Sequence, residues 1–294
     1  MSMLGHLFGI MPFSLDVGGR KTKWVLRIGD AFTAAKNQRH FKLSQHSLSL
    51  PPKHLLRIWK YAPININRTY KSSELWQYIL AHLASDARFI DIGSNIGGYL
   101  KLANERGMTT LGVEANPELG PVLAQNREVF GEVCSVALGD EEGVRPFHIS
   151  DNNPGGSSLV ESNKGWKSSG YNRTVSVKVT TLDELLHSKL PDWDVVDLVK
   201  IDVEGAEESV VRGMKKVLSS GKIQAIWCEV RGPESDRNPN SALTVSRFLA
   251  DFGFNALIFN SSHKPQLSPF NPDAELPQYF DLLFVKSDHV AGAT

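Results

Sequence analysis

Cysteine is nearly absent from this chain. The two that occur among 294 residues, Cys134 and Cys228, sit inside the apolar runs "VCSVAL" and "IWCEV", which excludes a disulfide framework and a cysteine metal cluster. They read as reduced core residues of an intracellular protein. No apolar run approaches the roughly 18 residues a membrane helix needs. Charge of one sign is missing too: Lys+Arg and Asp+Glu both number 32. A duplex nucleic-acid binder usually carries a basic excess or stripe, so no nucleic-acid partner is expected. The opening "MSMLGHLFGIMPF" lacks a basic leader and a clear cleavage site; it reads as a packing arm, and the expected compartment is the cytoplasm. Without a secretory signal, the sequons at Asn67, Asn172 and Asn260 carry little weight. There is no internal repeat and no heptad pattern.

What the chain does have is alternation. Residues 1–70 show no strand–helix rhythm; they hold "PP", a short apolar patch "LLRIWK" and a polar turn, and read as an N-terminal extension packing on a main domain at 71–294. From Ser73 the rhythm begins. "SELWQYILAHLA" has helical spacing with Ser73 or Ser72 as N-cap. Strand "RFIDIG" and helix "NIGGYLKLANERG" follow, the latter closed by Gly107. Then come "TTLGVEA", a helix from "NPELG" with Asn116 as N-cap and Pro117 at its first position, and "EVCSVALGD". A hairpin of "VRPFHIS" and "TVSVKVTTL" brackets a long Gly/Ser/Asn-rich stretch containing Gly156, Ser157, Ser158 and Trp166; loops of that length are usually functional or mobile. "DLVKID", one helix "AEESVVRGMKKVLSSG", "AIWCEV", helix "SALTVSRFLADFG" and two terminal strands complete the series. Such alternation predicts an α/β fold with a mostly parallel sheet and helices on both faces, whose ligands bind beyond the carboxyl ends of the strands. The candidate site therefore draws on the loops after Ile92, Val113, Leu138, Ile201 and Glu229.

The stretch "FIDIGSNIGGY" tests what that ligand is. Its glycines, Gly93 and Gly97, are spaced G-x-x-x-G, whereas the dinucleotide fingerprint is G-x-G-x-x-G. Asp91 would repel a pyrophosphate and suit an amino group or a positive centre. S-adenosylmethionine offers an ammonium and a sulfonium and no phosphate. Glu114 ends the second strand 23 positions after Asp91, where a carboxylate can accept from both ribose hydroxyls. Gly139 and Asp140 repeat the strand–glycine–acid pattern and place an acid within reach of an adenine amino group. The expected cofactor set is Asp91, Gly93, Ser94, Asn95, Gly97, Glu114, Ala115, Leu138, Gly139, Asp140 and Asp202.

These segments, with "GVEANPE", "VALGDEEG", "VTTLDELL", "LVKIDVEGAEESVVRGMKKVL" and "IWCEV", together resemble the FkbM family of S-adenosylmethionine-dependent methyltransferases over roughly Phe89 to Val230; "KIDVEGAE" is the specific part. The resemblance implies the Rossmann-like seven-stranded methyltransferase fold with its last strand antiparallel, and mostly O-methylation of hydroxyls on sugars or natural products. It also supports reading Gly156, Ser157 and Ser158 as a substrate-side loop. An alcohol is a very weak acid, so the acceptor needs a base or a metal. Asp202 is the first choice as base, Glu204 the second, and Glu229 completes an acidic cluster. His148 is a further candidate base, more often structural when it stands alone. No third metal ligand is evident, so no metal ligands are assigned and a divalent metal is not the expectation, though the cluster leaves it open. Trp166 is either a sugar platform or packing. The alternatives are transfer to nitrogen or to a macromolecule, and a scaffold that keeps the fold without turnover; acceptor and oligomeric state are not readable here.

Overall fold

The computed structural model describes residues 73–150, 154–161, 173–260 and 266–286, together with the backbone of four N-terminal strands. Those strands form two antiparallel hairpins, β1 (Ile10–Val17) with β2 (Arg20–Arg27) and β3 (His40–Leu43) with β4 (His46–Ser49). The apolar patch at 55–60 and Trp166 lie outside the described residues.

The main domain begins with α1 (Glu74–His82), capped as expected: Ser73 Oγ accepts from the Trp76 N–H at 3.3 Å. Then follow β5 (Arg88–Ile92), α2 (Gly98–Arg106), β6 (Thr109–Val113), short helices α3 (Gly120–Ala124) and α4 (Arg127–Phe130), and β7 (Glu132–Cys134). The expected helix start at Asn116 is not taken. Asn116 instead makes a local turn, its Oδ1 accepting from the Glu118 N–H at 3.0 Å, and the helix starts later with Pro121 in its first turn. Next come β8 (Ala137–Leu138), β9 (Gly143–Ile149), a 3₁₀ turn at Pro154–Gly156, β10 (Arg173–Thr180), α5 (Leu182–Lys189) and β11 (Leu198–Ile201). The segment expected as one helix is two, α6 (Glu207–Arg212) and α7 (Lys215–Ser219), separated at Gly213. A Cβ at Gly213 would lie 2.0 Å from the Gly139 carbonyl oxygen; the break lets the loop after β8 pass against the helix pair. The chain ends with β12 (Ala225–Arg231), α8 (Ser241–Ala250), β13 (Phe254–Asn260), β14 (Gln266–Pro269) and β15 (Tyr279–Lys286).

The principal sheet runs β14-β13-β15-β12-β11-β5-β6-β7. From β12 to β7 every pairing is parallel, and β15 enters antiparallel between β12 and β13. This is the seven-stranded, mostly parallel arrangement anticipated, with β14 added as an eighth strand on the edge. β8, β9 and β10 form a separate three-stranded sheet, so the hairpin stands off the main sheet and faces its carboxyl edge.

Period-2 alternation sorts the central strands. One face carries Ile90, Ile92, Val199, Ile201, Ile226 and Cys228 in a continuous core. The other begins with Phe89, Leu198 and Trp227, packed with Trp76 and Leu100. Two residues further along, the same face carries Asp91, Lys200 and Glu229. Burying each large side chain fully contributes about 1.5–3 kcal/mol, and this apolar base holds the charged tips in fixed register.

Candidate active site

The loop after β5 is built by close approach. Gly93 has φ +83°, and a Cβ there would lie 1.9 Å from the Asp202 carbonyl oxygen, so only glycine lets this loop lie against the end of β11. The Gly93 N–H donates to Val113 O at 2.9 Å, and Ser94 Oγ donates to Asp91 O at 2.8 Å. Those bonds aim the Asn95 N–H at Glu114 Oε2, 2.6 Å away, while the Asn116 N–H donates to Glu114 Oε1 at 2.7 Å. Glu114 is buried. Burial pushes its carboxyl up to about 7, against the pull of the two backbone N–H groups. Each oxygen accepts one N–H and keeps a second lone pair.

Two clefts meet at this loop. One, about 510 Å³, has apolar walls from Ile92, Val113, Leu138, Phe147 and Leu159, with Glu114 and Ala115 on one side. Its roof is the turn after β9: Gly155 and Ser157 line it, the Ser150 N–H donates to Ser157 Oγ at 3.1 Å, and Ser158 Oγ donates to Glu204 O at 2.9 Å. The other cleft, about 560 Å³, is lined by Asp91, Ser94, Tyr99, Lys200 and Glu229. Gly93, Asn95, Gly155, Asp202 and Glu204 line both.

Most of the residues singled out in the sequence are thus brought together, and some are not. Gly97 packs behind the loop, where a Cβ would meet the Phe130 ring at 2.6 Å. Gly139 lies against Val179 and Ser209, and Gly156 is adjacent to the lining Gly155. Asp140 is exposed; Ser209 Oγ donates to its Oδ1 at 2.8 Å and Arg145 lies at 3.2 Å, and these donors hold its carboxyl below the usual range. His148 is buried in β9 with Thr174 Oγ1 at 3.3 Å from its Nδ1; it lines neither cleft.

The acidic cluster has its third member. Carboxylate oxygens of Asp202, Glu204 and Glu229 lie within 4.8 Å of one another. Basic side chains already hold them: Lys200 Nζ donates to Asp202 Oδ2 at 2.8 Å, and Arg231 Nη2 to Glu204 Oε2 at 2.8 Å and Glu229 Oε1 at 3.2 Å. Arg237 Nη1 donates to Glu204 Oε2 at 3.1 Å. Burial and the neighbouring Asp202 push Glu204 up. Burial, Asp202 and Glu204 push Glu229 up to about 8. Asp91 is buried, its Oδ1 has no hydrogen-bond donor among the described residues, and burial raises it to about 6 against the pull of Lys200.

Sequence reasoning missed Tyr99, Arg231 and Arg237. Tyr99 was hidden because nothing in helix spacing says which turn faces a strand end. Arg231 carried a usable signal: as Glu229 + 2 it shares the face of the site.

Residues 91–256 match the Methyltransferase FkbM domain family, which is more than half of the chain. The chain belongs to the FkbM family of S-adenosylmethionine-dependent methyltransferases. This methyltransferase is 28% identical over 190 residues to Methyltransferase sdnD of Sordaria araneosa, covering 54% of this chain and 73% of that protein. Among solved structures, magnesium protoporphyrin IX methyltransferase from Synechocystis aligns at 10% identity with a TM-score of 0.43, covering 80% of this chain and 93% of that one. A methyltransferase from Archaeoglobus fulgidus aligns at 16% identity with a TM-score of 0.42, over 80% of this chain and 100% of that chain. Among the described residues no helix is long and apolar enough to cross a membrane.

Proposed function

We propose that this methyltransferase methylates a hydroxyl on a small polar acceptor, a carbohydrate or a glycosylated natural product, with Glu229 taking the acceptor's proton. One observation carries the reading: a mostly apolar cleft walled by Glu114 opens into an acid-lined cleft at Asp202 and Glu204. The donor set fits the cofactor. Glu114 keeps acceptor capacity for ribose hydroxyls, and Asp91 presents a buried oxygen with no donor among the described residues to an ammonium. When bound, S-adenosylmethionine supplies an electrophilic methyl on its sulfonium, which the acceptor oxygen takes as the carbon–sulfur bond breaks and S-adenosylhomocysteine is left.

The chain's own residues do the rest. Ile92, Val113, Leu138 and Phe147 would pack against the cofactor's adenine, and the turn at Gly155–Ser158 would cover it. Asp202 and Glu204, tied to Lys200 and to the two arginines, accept hydrogen bonds from acceptor hydroxyls and orient them. Positioning of this kind can supply up to roughly 7–11 kcal/mol of the barrier. Glu229 is the member of the trio best suited to take a proton, because a base works best with a pKa near the working pH. The carboxylates also favour an ammonium, so an amine acceptor is the second reading.

The test is calorimetric titration with S-adenosylhomocysteine, wild type beside Glu114→Ala. Micromolar binding weakened at least tenfold in the variant, about 1.4 kcal/mol, is the expected result. Absence of binding to folded wild-type protein overturns the proposed cofactor site. A labelled methyl donor with neutral glycosides and amino sugars as acceptors then separates transfer to oxygen from transfer to nitrogen.

A further inference from the structure

Lys200 is a lysine inside a central strand, buried, with neighbours fixed by register. Asp91 pairs with it across β5 and Trp227 across β12. Its Nζ lies 2.8 Å from Asp202 Oδ2, 3.9 Å from Asp91 Oδ1, and 5.1 and 5.4 Å from the ring centroids of Tyr99 and Trp227. Two aromatic faces and two carboxylates thus surround one ammonium. A lone buried ammonium would shed its proton, and an unpaired buried carboxylate would take one up. Here each stabilises the charge of the other, and the rings add cation–π attraction.

We infer that Lys200 is the site's internal counter-cation, a positioning residue that pairs with Asp202 and holds Asp91 as a carboxylate before any ligand arrives. The inference rests on the reading above that Asp91 receives the cofactor's ammonium. An ammonium that meets a neutral Asp91 must first displace its proton; one that meets a carboxylate does not. The groups around Lys200 are Asp91 from β5, Tyr99 from α2, Asp202 beyond β11, Trp227 and Glu229 from β12 and Asp281 from β15, with Glu114 beyond β6 acting on Asp91 through space. Among the described residues the other cationic groups at the cluster are Arg231, which bonds Glu204 and Glu229, and Arg237, which bonds Glu204. Asp91 therefore depends on Lys200 alone among the described residues. The directions agree: Lys200 is raised by Asp202, Asp91 and Tyr99 despite burial, and Lys200 pulls Asp91 down.

The test is titration of the full chain with S-adenosylhomocysteine at pH 7.5 in two buffers of different ionisation enthalpy, which counts protons exchanged on binding. Wild type and Lys200→Arg are expected to release close to none from Asp91. Lys200→Met is expected to bind at least tenfold more weakly and to release up to one additional proton. Binding by Lys200→Met within threefold of wild type, with the same proton count, overturns the inference. If Lys200→Met does not fold, ¹³C-carboxyl titration of wild type decides: a midpoint for Asp91 below pH 7 supports it and one above pH 8 overturns it. Failure of wild type to bind the ligand sinks the cofactor reading instead, and the carboxyl titration still decides the role of Lys200.

Discussion

Glu229 sits where burial and two neighbouring carboxylates act together against its ionisation. Its ordinary value is 4.5 and its folded value about 8. A carboxyl with a raised folded pKa holds its proton more tightly folded than unfolded, so its contribution to stability is present at low pH and is lost as pH rises between those two values. Glu114, raised by burial to about 7, acts in the same direction. The thermal midpoint of the ligand-free protein should therefore fall between about pH 5 and pH 8. Glu229→Gln keeps an acceptor oxygen for Arg231 and carries no charge at any pH, so its midpoint should fall less steeply and exceed wild type's at pH 9. Each kcal/mol corresponds to roughly 2–4 °C for a domain of this size. Parallel curves for the two proteins would remove Glu229 from this role. With a hydroxyl acceptor in hand, the wild-type rate should rise with pH through about 8, and Glu229→Gln should lose about 10²–10⁴-fold.

Strands and helices show why some of this was legible in the sequence and some was not. The face of β11 follows from alternation, so Lys200 and Asp202 on one side could be read directly, and the G-x-x-x-G loop with Glu114 marked a cofactor other than a dinucleotide. Arg237 could not be read: the turn after β12 folds back onto Glu204, and no local pattern encodes that return. The split of α6 from α7 was equally hidden, because "VVRGMKK" has good helical composition and only the passing loop at Gly139 explains the break. That break gives a prediction whose sign is decided by packing. Gly213 has φ −82°, a conformation alanine adopts readily, and such a replacement ordinarily stabilises by about 0.4–1 kcal/mol. The Cβ would lie 2.0 Å from a backbone oxygen, and overpacking of this kind costs about 1–3 kcal/mol. Gly213→Ala should therefore unfold at lower urea than wild type; an unchanged or higher midpoint would mean the loop has room to move.

On the scale of the whole molecule, the proposed site rests against a helix outside the span matched to the family. Trp76 of α1 is fully buried, its ring 5.5 Å from Phe89, 5.2 Å from Tyr99 and 6.1 Å from Trp227. Tyr99 and Trp227 are the two rings beside Lys200, so α1 supports the cation from below. We propose on this packing that the catalytic domain includes α1 and does not start at β5. A fragment of residues 71–294 is expected to fold and to bind S-adenosylhomocysteine within a few-fold of the full chain. A fragment of residues 84–294 loses Trp76 together with Leu75 and Ile79; removing one large aromatic side chain from a core costs about 3–5 kcal/mol, a large share of the roughly 5–15 kcal/mol that holds a domain folded. It should be unfolded or bind at least tenfold more weakly. Equal binding by the two fragments would show that Tyr99 and Trp227 keep their places without α1, and that the site is built by the strands alone.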